Sequence, residues 1–123
     1  MSLHKIRLEL ARNAEFPQGS NARGYEFTAP LTADGYLDSE EWKDARGSCR
    51  VRRFWQGEDD EYGKLVHHRG HNWAFHYDGM EDDDEEPIFK FDRHRFVPGE
   101  YVSITEHDEV QRTFLVTEVI PAD

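Results

Sequence analysis

The sequence has 123 residues, with 26 acidic against 15 basic side chains and a formal net charge of −11. That length fits one domain burying on the order of two-thirds of its unfolded surface, and that charge opposes non-specific binding to nucleic acid or to an anionic membrane. The lone Cys49 excludes an internal disulfide, no apolar run approaches the roughly 20 residues that span a bilayer, and charges break up the first apolar residues where a signal peptide would need a core, so a cytoplasmic location is expected.

In chain order, Ile6, Leu8 and Leu10 alternate with Lys5, Arg7 and Glu9, the period-two pattern of a half-buried strand. Residues 13–22, with Pro17, Gly19, Ser20 and Asn21, read as a loop. Tyr25, Phe27 and Ala29 alternate again, and Pro30 ends this second strand. After the Asp34-Gly35 turn, Asp38 can cap a helix over about residues 39–46. Glu41 stands three residues on to complete a capping box, Leu37 can staple to Trp42, and Gly47 stops the helix. No other segment signals a helix.

Cys49–Trp55 predicts a third strand, with Val51 and Trp55 on one side and Arg50, Arg52 and Phe54 on the other; Arg53 points away from Arg50 and Arg52. An acidic turn at 57–61 follows. Tyr62–His68 and Asn72–Asp78 form a hairpin around Arg69-Gly70-His71. The acidic run 81–86 reads as a solvated loop closed by Pro87, and Ile88, Phe89 and Phe91 as a short strand. Val97-Pro98-Gly99-Glu100 turns into a strand from Tyr101 to Ile104, and a last strand runs from about Gln111 to Val119. About eight short strands and one helix suggest a barrel or a sandwich. The mainly-β fold expected is a small, strongly bent β-barrel, with residues 1–123 as a single domain.

The charge is unevenly spread. Ten of the 26 acids lie in the runs 58–61 and 81–86, which leaves the remainder nearly neutral. Eleven of the 15 bases are Arg, the side chain suited to forked recognition of carboxylate and phosphate. Arg50 and Arg52 on one strand face therefore make the leading functional reading: a non-catalytic module that binds an anionic ligand or a protein partner through an Arg and aromatic face, which Arg93 and Arg95 could extend. The competing reading is that these arginines pair with the chain's own acids. If both Arg50 and Arg52 meet internal carboxylates, the anion site is not there.

The hairpin carries the second reading. With His68 opposite Trp73, His67 and His76 fall on one face as diagonal neighbours roughly 7–8 Å apart, and Asp78 joins them as a third ligand for a divalent transition metal. Zinc asks for three or four such ligands at about 2 Å, and the spacing matches no standard zinc signature; no cofactor is otherwise expected. A third reading is a homodimer formed through an exposed strand edge. An aromatic face interleaved with arginine is how single strands of nucleic acid sit on barrels, but the acidic loops and scarce lysines oppose it, and core filling explains the aromatics. The run 81–86 lacks the spacing of a calcium loop, and Cys49 reads as a buried structural thiol. No phosphate loop or serine-nucleophile elbow occurs, so a binding module is favoured over an enzyme, with a metal-dependent enzyme on the 62–78 hairpin, built on His67, His76 and Asp78, as the alternative.

Four segments, Gly24–Leu31, Cys49–Trp55, Trp73–Asp78 and Phe96–Ile104, resemble a family of small, uncharacterised bacterial proteins found mainly in proteobacteria. The resemblance covers nearly the whole chain. It implies a compact, cytoplasmic, stand-alone domain, and it brings no activity and no catalytic residue.

Overall fold

The computed structural model describes residues 3–68, 72–78, 86–89, 95–106 and 109–122. Among them, eight antiparallel strands follow one another around a closed barrel. They are β1 (Leu3–Leu10), β2 (Ser20–Pro30), β3 (Arg50–Trp55), β4 (Glu61–His68), β5 (Asn72–Tyr77), β6 (Glu86–Phe89), β7 (Tyr101–Thr105) and β8 (Gln111–Pro121). Helix α1 (Ser39–Ala45) and a 3-10 turn (Arg46–Ser48) lie between β2 and β3. The expected barrel and helix are both present. No helix among the described residues is long and apolar enough to cross a membrane.

Alternation sorts each strand. Ile6, Leu8 and Leu10 of β1, Tyr25, Phe27 and Ala29 of β2, Leu65 of β4, and Phe75 and Tyr77 of β5 are buried, as are Val102, Ile104, Phe114 and Val116 of β7 and β8. Burying each large apolar side chain contributes about 1.5–3 kcal/mol. The centre is aromatic: Tyr25 stacks on Phe75 at 5.2 Å and meets Phe114 edge-on at 5.1 Å, while Phe27 meets Phe75 and Phe96 edge-on at 5.3 and 5.9 Å. A barrel of eight strands has an interior that side chains can fill, and these rings fill it.

The ring closes where β1 bonds β2 on one side and β8 on the other, with Leu8 opposite both Tyr25 and Val116. Each of the eight strands therefore has a neighbour on both sides.

The Asp38 carboxylate accepts from the backbone N–H groups of Glu40 and Glu41, each at 3.1 Å, which satisfies orphan donors of the first helical turn. Buried Trp42 donates its indole N–H to the Leu65 carbonyl at 3.1 Å and so ties α1 to β4. Two boundaries differ from expectation. β2 begins at Ser20, inside the expected loop, because residues 22–23 continue along β3: Arg23 pairs with Trp55, and Gln56 N–H donates to the Ala22 carbonyl at 3.0 Å. β6 begins at Glu86, inside the acidic run. The hairpin turn 69–71, residues 81–85, Phe91 and Arg93 lie outside the described residues.

Candidate functional site

Where β1 leaves β2, the ladder jumps. Glu9 stands opposite Gly24, but Leu10 stands opposite Ser20, so residues 21–23 bulge away from β1. The preceding loop sets this up: Asn13 Oδ1 accepts from Phe16 N–H at 2.6 Å, Gly19 N–H donates to the Phe16 carbonyl at 2.9 Å, and Gly19 takes the left-handed φ of 69°. The split opens a groove of about 760 Å³. Its floor includes Leu10 and Leu115, and Arg12, Gln18, Asn21, Arg23, Gln56 and Tyr101 surround it. Tyr101 is 56% exposed. Tyr101, Leu115, Glu9 and Gly24 form one row across β7, β8, β1 and β2.

The two arginines of the groove, like Arg46 and Arg95, have no ion pair among the described residues. Arg23 is half-buried, with its guanidinium 4.4 Å from the Phe16 ring and 5.8 Å from the Trp55 ring. Its Nη1 donates to Ser20 Oγ at 3.1 Å and to Gln56 Oε1 at 3.3 Å, while its buried Nε–H has no acceptor. Arg12 is exposed. Neither makes an ion pair with a described residue, although Arg7, Arg50, Arg52, Arg53 and Arg112 all do. Glu9, the acid on the groove wall, is held by Arg7 Nε at 2.8 Å.

Arg50 and Arg52 do share the outer face of β3, and with Lys5 and Tyr62 they line a shallower concavity of about 250 Å³. Both meet internal carboxylates. Arg50 donates to Asp78 at 2.8 Å; Arg52 donates to Asp60 at 3.2 Å and to Glu26, its cross-strand partner. Partial burial works against ionising Glu26, yet the Arg52 guanidinium, with help from Arg7 and Lys5, holds its carboxyl below the usual range. The condition set by the sequence is met against the anion site, and Arg50 and Arg52 drop out of it. Arg95 instead donates to the Asp34 carbonyl at 3.1 Å.

The hairpin register differs by one residue from expectation. His67, not His68, stands opposite Trp73, and His76 stands opposite Lys64. Because side chains alternate, a one-residue slip exchanges faces. His67 therefore falls on the face of Leu65 and Phe75, and His76 on the other, so the set His67, His76 and Asp78 is not assembled. His67 stacks on Trp73 at 4.1 Å with Trp42 edge-on at 5.8 Å, and Asp78 is taken by Arg50. Among the described residues, no three His, Cys, Asp or Glu side chains are grouped to hold a metal. Gly63 selects this register. A Cβ there would lie 2.2 Å from the His76 carbonyl oxygen and 2.6 Å from Tyr77 Cα, so only glycine can stand opposite Tyr77.

Cys49 is buried, and its thiol donates to the Ala45 carbonyl at 3.4 Å. Burial, and then the Glu41 carboxylate, push the thiol up to about 11. The native thiol should therefore resist iodoacetamide at pH 8 and react at an ordinary rate only once urea unfolds the chain; equal rates in both states would contradict this. Unfolding returns the thiol to its ordinary range, so its contribution to stability is intact below that range and fades as pH rises toward 11.

One constellation escapes the sequence reading. Buried Glu106 accepts from Tyr25 Oη at 2.6 Å, Arg53 Nε at 3.1 Å and Arg112 Nη1 at 2.8 Å. Two signals point to it: Arg53 faces inward on β3, and Glu106 continues the inward series of Val102 and Ile104. Arg53 and Arg112 also lie 4.4 and 5.6 Å from the Trp55 ring. A carboxylate whose side chain is 1% exposed and that accepts from three donors fastens the barrel.

The resemblance to a proteobacterial family gains no support, since no protein-family model, no curated protein and no solved structure matches this chain.

Proposed function

We propose that the chain is a non-catalytic binding module that takes an anionic group in the groove between β1 and β2, with Arg12 and Arg23 as its cationic contacts. The observation that carries this reading is a pair of arginines, without carboxylate partners among the described residues, on one groove of about 760 Å³ in a chain with acids to spare. Arg23 is pre-positioned: Phe16, Trp55, Ser20 and Gln56 fix its guanidinium and leave Nε–H without an acceptor. A donor buried without a partner is costly, by about 1–3 kcal/mol, and an incoming oxygen would relieve that cost. Aromatic stacking orders a guanidinium before it binds, so less entropy is lost on contact.

Nuclear magnetic resonance titration with inorganic phosphate and with citrate tests it. Saturable shifts are expected in the amides of residues 9–12 and 18–23 and in Arg23 Nε–H. Arg12→Ala should weaken them about tenfold, and Arg50→Ala should leave them unchanged. No saturable shift, or shifts confined to the surroundings of Arg50 and Arg52, would overturn the assignment.

A further inference from the structure

We infer that the groove's natural occupant is a short extended peptide segment that carries an aromatic side chain and a carboxylate three to four residues apart. This rests on the anion reading and adds the identity of the ligand. Three features support it. The first is size: about 760 Å³ is far more than a lone phosphate or carboxylate fills, and lies in the range of sites for larger ligands.

The second is length. Neighbouring strands stand about 4.8 Å apart. From exposed Tyr101 on β7, across Leu115, Glu9 on β1 is two spacings away and Gly24, next to Arg23, is three; Arg12 lies three residues beyond Glu9. A ring resting on Tyr101 and an anion at the arginines are therefore roughly 14–15 Å apart, which three to four residues of extended chain at about 3.3 Å each cover together with the reach of their two end side chains.

The third is wall chemistry. Gln18 and Asn21 each offer a carbonyl and an amide N–H, and Gln56, whose carbonyl holds Arg23, offers its amide N–H; these are the groups that a peptide backbone also needs. An oligonucleotide would meet the same arginines and tyrosine, but a polyanion is repelled by a surface of net charge −11, whereas a segment with one carboxylate is not.

Calorimetry with the full chain and the blocked tetrapeptide acetyl-Phe-Gly-Ser-Asp-amide tests this. Changing the peptide's Phe to Ala, or its Asp to Asn, should weaken binding about tenfold each. The losses should be coupled to the protein. Arg12→Ala should weaken the Asp peptide and spare the Asn peptide, and Tyr101→Ala should weaken the Phe peptide and spare the Ala peptide. Both protein residues are exposed, so neither change threatens the fold. If N-acetyl-aspartate amide binds as tightly as the tetrapeptide and still depends on Arg12, the peptide inference falls and the anion reading stands. If a thymidine hexanucleotide binds more tightly than the tetrapeptide, the peptide class is wrong. If none of these probes binds, both readings fall.

Discussion

Glu106→Ala is expected to cost about 3 kcal/mol, at the low end of the 3–5 kcal/mol typical of breaking a buried ion pair by removing one partner. The loss goes beyond three hydrogen bonds. Arg53 and Arg112 are left with side chains 8% and 10% exposed, and Tyr25 Oη, within the aromatic core, loses its acceptor. The low end is chosen because both arginines keep other acids: Glu58 at 3.2 Å and Glu61 at 3.5 Å for Arg53, and Glu15 at 3.1 Å for Arg112. Those carboxylates are more exposed, so solvent screens them. Urea denaturation followed by tryptophan fluorescence reads the change. The triple replacement Arg53→Met, Glu106→Leu and Arg112→Met should recover most of the loss, since an apolar set of similar volume carries no desolvation penalty. A Glu106→Ala cost under about 1 kcal/mol would mean that solvent reaches the site and that the network is not enclosed.

Gly63→Ala should destabilise by about 2–3 kcal/mol, the upper part of the range for overpacking a filled interior. The new Cβ would meet backbone atoms of His76 and Tyr77 at 2.2 and 2.6 Å, and backbone cannot turn aside as a side chain would. β4 has to withdraw from β5, which separates the cross-strand pair of Leu65 and Phe75, both fully buried. The lower backbone entropy of an unfolded chain with alanine offsets only about 0.4–1 kcal/mol. Gly47→Ala is the control, because nothing lies within 4 Å of its missing Cβ. Amide exchange should quicken in β4 and β5 of the Gly63 variant while β1 and β8 keep their protection. Unchanged exchange would show that the register does not depend on Gly63.

Elements declared by local signals were legible. Ile6, Leu8 and Leu10 declare β1 by alternation, and Asp38 declares α1 because a cap acts within one turn. The hairpin 62–78 was legible as a hairpin, but its register was not, since the close approach at Gly63 is a contact between strands that no single-strand pattern records. The pairing of Arg50 and Arg52 depends on Glu26, Asp60 and Asp78, which reach β3 only through the ring. The groove was least legible: Arg12, Arg23, Gln56 and Tyr101 come from four places in the chain, and the bulge that exposes them interrupts an otherwise regular strand. Glu106 could have been read from its parity with Val102 and Ile104, but an acid at the end of an apolar series looks like the start of a loop.

The seam between β1 and β8 also governs how the chain can fold. His4 pairs with Pro121, and Ala122 N–H donates to the Leu3 carbonyl at 3.0 Å, so the first strand is flanked by the last. On a ribosome β1 can pair with β2 early, but its other side stays unpaired until residues 111–121 emerge. Closing so long a loop raises the contact order and slows the final step. Until then Ile6, Leu8 and Leu10 lie on a sheet with an open side. The interval before closure is therefore the period of greatest aggregation risk, and the seam that removes every edge from the native ring is the last part of it to form.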